Sequence, residues 1–190
     1  LMSSYPVLCR RELGNHFGTM LRPTARPWFH PKRRHEEKED NETKRHLEWF
    51  EETQRRAMYD PRAMFTRATK EGDHDFAAFG QPVLSIELNR HGDGMLYRCW
   101  HLRDMCWEED ESGAVGAKFR RWKPTAHVAD RTFRDKLHPE MKKLLDKSPF
   151  ERVELLHMVV PAEMFDGDAA GRPRWSIWYD AANKHVVEEK

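Results

Sequence analysis

The sequence predicts an α+β fold, an antiparallel β-meander or hairpin sheet flanked by helices. Two observations carry that prediction. From Tyr97 to Pro124, apolar and aromatic residues alternate with charged ones on both sides of Glu109-Asp110-Glu111-Ser112-Gly113, and a period of two marks half-buried strands joined by a turn. Before this stretch, around residues 7–21 and 41–79, apolar residues recur at helical spacing.

Within the hairpin, Leu96, Trp100 and Leu102 share one face with Arg98, and Tyr97, Cys99 and His101 share the other. The second arm sets Val115, Ala117 and Phe119 against Lys118, Arg120 and Trp122, until Pro124 removes a ladder donor. Arg90-His91-Gly92-Asp93-Gly94 is a second turn that ties the first arm to a strand at Val83–Asn89, which makes residues 81–124 one antiparallel sheet.

In chain order, Leu8, Leu13, Phe17, Met20 and Leu21 trace a first helix. Gly14 and Gly18 weaken it by about 1 kcal/mol each relative to Ala, yet glycines four apart also let a second helix approach. Three prolines hold residues 22–31 in an extended or turning path, with Trp28 and Phe29 pinning it to the core. Asn41 is placed as the cap of a helix carrying Leu47, Phe50, Gln54 and Ala57. Asp60-Pro61 closes it and opens another with Met64, Phe65, Ala68, Phe76 and Phe79, which Gly80 stops. Thr125 caps a helix carrying Val128, Phe133 and Leu137, and Pro139 starts a short one with Met141, Leu144 and Leu145. An apolar run from Val153 to Val160 and the alternating Trp175, Ile177 and Tyr179 are later strands, separated by a loop at Asp166-Gly167-Asp168. The chain is thus one region at 1–190: mainly helical at 1–80, sheet at 81–124, and helices followed by strands at 125–190. Its first and last residues read as the ragged ends of a fragment.

Charged residues make up 34% of the chain yet balance to a formal +1, so any nucleic-acid function has to come from local charge. Lys32, Arg33 and Arg34 are followed by Glu36, Glu37, Glu39 and Asp40, which cancel that field within a Debye length of about 8 Å. Seven Trp and ten Phe are many for so hydrophilic a chain; they read first as core, with a surplus that suits contact with a neighbouring subunit, since large aromatics amid charge are favoured at cores and protein interfaces. Three cysteines, Cys9, Cys99 and Cys106, cannot all pair, and no apolar run is long enough to span a bilayer.

Chemistry is hard to find in the residues. Cys99, His101 and Cys106 lie close in sequence, but no CxxC or HExxH spacing accompanies them and a fourth ligand is missing. Ser85, Ser112 and Ser176 have no nucleophile signature. The acids of Glu108–Glu111 and Asp166–Asp168 fall in turns, where carboxylates are ordinarily solvated. His157 interrupts an apolar run and needs a hydrogen-bond partner there. No catalytic, cofactor-binding or metal-binding residue is therefore assigned. Three readings stay open: a structural protein, a small nucleic-acid- or protein-binding module using Arg22 to Arg34, and a metal-dependent hydrolase using the Cys99 cluster.

The order of motifs is more telling. Leu21-Arg22-Pro23-Thr24-Ala25-Arg26-Pro27-Trp28-Phe29 resembles the "LTPPGRPWF" segment of the head-to-tail connector, or portal, proteins of short-tailed bacteriophages, with Arg22 and Thr24 departing from it. Asp75 to Leu84 is similar to that family's helix-to-strand passage, and Trp107 to Val115 to its acidic turn "ED..G.V", followed by Phe119-Arg120-Arg121-Trp122. Leu156 to Pro161 resembles "LHAVYPR", with Ala162 in place of the arginine, and Trp175 to Tyr179 resembles "W.S.Y".

The resemblance implies the N-terminal wing segment of a longer, non-catalytic portal subunit without cofactors. It further implies a homo-oligomeric ring, a dodecamer by family, at one capsid vertex of the virion, assembled in the host cytoplasm. The implied partners are the terminase motor, the major capsid and scaffolding proteins, tail adaptor proteins and double-stranded DNA passing the channel in packaging and ejection. No membrane is implied.

Overall fold

The computed structural model describes residues 3–33, 40–164, 171 and 173–190. The fold is α+β, and its contacts divide the chain into two compact units, Leu1–Leu102 and Arg103–Lys190.

The first unit is built on three helices and a two-stranded sheet. Helix α1 (Tyr5–Leu21) carries Gly14 and Gly18 toward helix α3 (Phe65–Phe79). An added Cβ at Gly14 would lie 2.5 Å from His74 Nδ1, so the missing side chain is what lets the helices close. Phe17 meets Phe76 edge-on at 5.5 Å, and Arg22, just past the end of α1, is ion-paired with Asp73.

Helix α2 (Asn41–Tyr59) begins at the residue expected to cap it, and its cap lies one residue earlier. Asp40 takes that role, its carboxylate accepting from Thr43 N at 2.7 Å, and Asn41 is the first helical residue. The face that α2 turns inward ends at Met58, while Phe50, expected on that face, is exposed. A 3-10 turn at Pro61–Ala63 and a left-handed Met64 lead into α3, and Gly80 at φ 77° ends it where the sequence places the stop.

Strands β1 (Val83–Leu88) and β2 (Met95–Trp100) pair antiparallel. Arg62 fastens their turn to the start of α3, reaching Asp60 at 3.1 Å and Asp93 at 3.2 Å. The core of this unit is Met58, Ala63, Phe65, Ala68 and Tyr97, with Trp28, Phe29 and Tyr59 against it. Trp28 donates to Tyr59 Oη at 3.1 Å and lies parallel to Phe65, so the proline-rich path is anchored as its aromatics predict.

The second unit is a five-stranded antiparallel meander in the order β3 (Met105–Glu109), β4 (Val115–Trp122), β5 (Leu155–Pro161), β6 (Arg174–Asp180) and β7 (His185–Glu189). Helices α4 (Ala126–Phe133) and α5 (Pro139–Lys147) fall between β4 and β5. Thr125 caps α4 and Pro139 opens α5, as the sequence indicates. Leu137 follows a separate 3-10 turn instead of extending α4, and α4 packs through Ala126, Ala129 and Phe133 while Val128 is exposed. The core joins Ala129, Phe133, Leu137, Met141, Leu155 and Val187, with Trp122, Val153 and Trp178 packed on it.

The single sheet expected over 81–124 is corrected by this topology. Among the described residues Met95–Trp100 pairs with β1 alone, and Val115–Trp122 pairs with Met105–Glu109 and β5. A 3-10 turn at Leu102–Asp104 separates the two sheets. The Tyr97–Pro124 hairpin is therefore the end of one sheet followed by the first hairpin of another.

Candidate functional site

Several of the residues with chemical potential have local structural partners. Cys99 lies on β2 beside α3, where its thiol faces Asp75 Oδ2 at 3.9 Å. Burial first, then the charges of Asp75 and Glu71, push that thiol up to about 11, so at neutral pH it stays protonated and is a poor nucleophile or ligand. Cys106 is exposed on β3 in the other unit and His101 is exposed between them. Proximity in sequence does not become a cluster here, and among the described residues no three His, Cys, Asp or Glu side chains converge as a metal-ligand set.

The serines and turn acids have equally local roles. Ser85 Oγ accepts from Trp100 Nε1 at 2.9 Å across the β1–β2 pair. Asp110 organises the β3–β4 turn by accepting from Ser112 N, Ser112 Oγ and Ala114 N, and the Ser112 hydroxyl is the main cause holding its carboxyl below the usual range. The Asp166–Asp168 loop lies outside the described residues. So does Arg34, and of the remaining basic stretch Arg22 is engaged by Asp73.

His157 has the partner its place in an apolar strand demands. Its Nε2 is hydrogen-bonded to Ser176 Oγ at 2.9 Å, and its ring stacks on Trp178 at 4.2 Å with 8° between planes. Arg120, only 7% exposed, sits over the same indole at 4.8 Å. Burial and then the Arg120 charge lower the imidazole to about 4, with Glu188 pulling the other way. His157 is neutral at physiological pH and braces the middle of the sheet.

What the molecule does expose is apolar surface. On α2, Trp49 is 59% exposed with Phe50 beside it. On β1, Leu84, Ile86 and Leu88 share a face with Cys99, Tyr97 and Met95 by register. Tyr97 is buried, in ring contact with Phe65, whereas Ile86 and Leu88 are 65% and 71% exposed. Phe76 and Phe79 at the end of α3 are exposed too. Scattered apolar residues are ordinary, but exposed aliphatic residues in succession along a strand of a two-stranded sheet are a template for another surface. Sequence reasoning anticipated the surplus of aromatics and missed the β1 strip, because alternation alone does not say which half of a face a helix will cover.

An α+β chain that spends its polar groups on caps, turns and braces, and leaves apolar strips outside, has the character of a structural part. The whole chain, residues 1–190, matches the family described as "Bacteriophage head to tail connecting protein". The chain belongs to that family, and its place is in the connector of a phage virion, a structural role that normally carries no catalysis. No individual curated protein matches it significantly. Among the described residues no helix is long and apolar enough to cross a membrane.

Proposed function

We propose that this chain is the wing part of a portal subunit whose copies close into a ring at one capsid vertex. Double-stranded DNA passes through that ring during packaging, driven by the terminase motor, and again during ejection. Capsid and scaffolding proteins surround the ring, and tail adaptor proteins attach to it. Assembly takes place in the host cytoplasm.

The observation that carries this reading is the pair of dissimilar apolar patches on the first unit, Trp49 and Phe50 on α2 and Leu84, Ile86 and Leu88 on β1. A ring needs heterologous contacts, in which one surface of a subunit meets a different surface of the next and rotation closes the circle. Two unlike patches meet that requirement, while a two-fold dimer needs only one.

The test is to express the complete reading frame that contains this chain and examine it by negative-stain electron microscopy and light scattering. Closed rings with a central channel are expected, and Ile86→Glu, a change at a residue with little to lose on folding, should return them to monomers. Monomers or dimers alone from the intact frame, at several salt concentrations, would overturn the reading.

A further inference from the structure

Helix α5 leads into β5 through the turn Ser148-Pro149-Phe150-Glu151. Serine first and proline second are what a four-residue β-turn favours, because proline already holds the φ that its position needs. Glu151 N donates back to Ser148 O at 3.0 Å and closes the turn. Ser148 N donates to Leu144 O at 2.7 Å, which fixes the entry from α5. Across from it, Ala126 N and His127 N at the start of α4 donate to Glu151 O and Pro149 O at 2.8 and 2.9 Å, and Val153 N donates to Pro124 O at 2.9 Å. On this braced turn the Phe150 ring is 80% exposed, more than any other large apolar residue among those described. Every bond of the brace is made by backbone, so none depends on the Phe150 side chain. Such rigidity serves association, since a ring already fixed in place has little freedom left to lose on binding.

The first unit holds a groove that suits such a ring. It lies between α1, α3 and the proline-rich path that follows α1, has a volume of about 430 Å³, and is lined largely by apolar surface, with Gly18, Pro23, Tyr59 and Phe65 in its walls. Three charged residues line it, and two of them, Arg22 and Asp73, are ion-paired to each other. The third, Lys70, is exposed on α3, and among the described residues no carboxylate partners it. Glu151, directly after Phe150, is exposed as well and has no cationic partner among the described residues. Lys147 and Arg152 lie further along the chain, so the charge next to the ring is negative.

We propose that Phe150 of one copy seats in the groove between α1 and α3 of the next copy, with Glu151 against Lys70. This contact rests on the ring reading above and gives it a particular joint. The projection and the groove are different surfaces of one chain, as head-to-tail closure requires. A second copy is the occupant because the unbalanced charge of the groove and the charge beside the ring are opposite in sign. An aromatic side chain that fills an apolar pocket inside a polar rim is also the form that interface hot spots take.

The experiment uses the complete reading frame with the exposed Cys9 and Cys106 changed to serine, and adds Phe150→Cys together with Thr66→Cys, an exposed position lining the groove. Mild oxidation should give a ladder of covalent oligomers on non-reducing gels, because each copy offers one projection and one groove. Neither of the two cysteines alone should give it. In the otherwise unaltered chain, Phe150→Ser should weaken association about thirtyfold, read by light scattering over a dilution series. Circular dichroism and melting of that variant should be unchanged, since the turn keeps all its bonds. Glu151→Lys should weaken association too, and adding Lys70→Glu should restore it. Rings that form without cross-linking, or that assemble as readily with Phe150→Ser, would overturn the contact and leave the ring reading standing. Covalent dimers with nothing larger would keep the contact and overturn the ring. Neither rings nor cross-links would overturn both.

Discussion

A histidine stacked on an indole and hydrogen-bonded to a hydroxyl is held neutral by its surroundings, and His157 will make that felt in acid. Its proton affinity is set at about 4 in the folded chain, by burial and Arg120, against an ordinary 6.5. As pH falls, the unfolded chain takes up the proton first, so folded stability should decline between about 6.5 and about 4 and level off below. The loss at this site is on the order of 3 kcal/mol or less. Urea midpoints across that range measure it, and His157→Gln, which can keep a bond to Ser176, should flatten the decline. Carboxylates held low by hydrogen bonds, such as Asp110, lose their contribution at lower pH, which keeps the two effects apart. Gly14 gives a second prediction at this scale. Gly14→Ala drives a methyl against the His74 ring, and the strain of about 1–3 kcal/mol exceeds the helix-propensity gain of about 1 kcal/mol. A net loss of about 1 kcal/mol in chemical denaturation is expected, relieved by adding His74→Ala. Gly18→Ala, whose new Cβ would lie an ordinary 3.6 Å from Asp73 Oδ2, should be neutral or stabilising.

Among the elements, helix starts and stops were the easiest to read, because they depend on single residues with a local reason: Thr125 as an acceptor, Pro139 without an N–H, Gly80 with a positive φ. Where two acceptors stood side by side the choice fell on the wrong one, since Asp40 and Asn41 both satisfy the pattern and only the chain's path selects between them. Asp40→Ala should therefore cost about 1 kcal/mol of stability and Asn41→Ala much less, by thermal denaturation with circular dichroism. Strand partners were harder. A period of two is the same whichever strand lies alongside, so Met95–Trp100 and Val115–Trp122 looked like arms of one hairpin when each belongs to its own sheet. The 3-10 turn between Trp100 and Met105 is too short to interrupt the alternation. The faces themselves were legible: Ala117 and Phe119 do oppose Lys118, Arg120 and Trp122, because parity along a strand survives an error in its partner. The reach of Arg174 to Gly116 O was invisible in sequence, as it depends on β5 coming between β4 and β6.

On the scale of the whole molecule, a near-neutral chain exposes apolar strips on its first unit. The ring measurement above addresses these strips. The topology has a further consequence, for the order of events in time. Every strand in both sheets pairs with its immediate neighbour in sequence, so no pairing has to wait for a distant segment. Loop closure is short for β1 with β2, β3 with β4 and β6 with β7, longer for β5 with β6, and longest for β4 with β5, whose connection carries two helices of its own. Such a chain can zip up strand by strand as it leaves the ribosome, and it folds fast for its β content because low contact order spares it the long search that separated partners impose. That speed shortens the time each chain spends in the sticky intermediates in which exposed strand edges find the wrong neighbour.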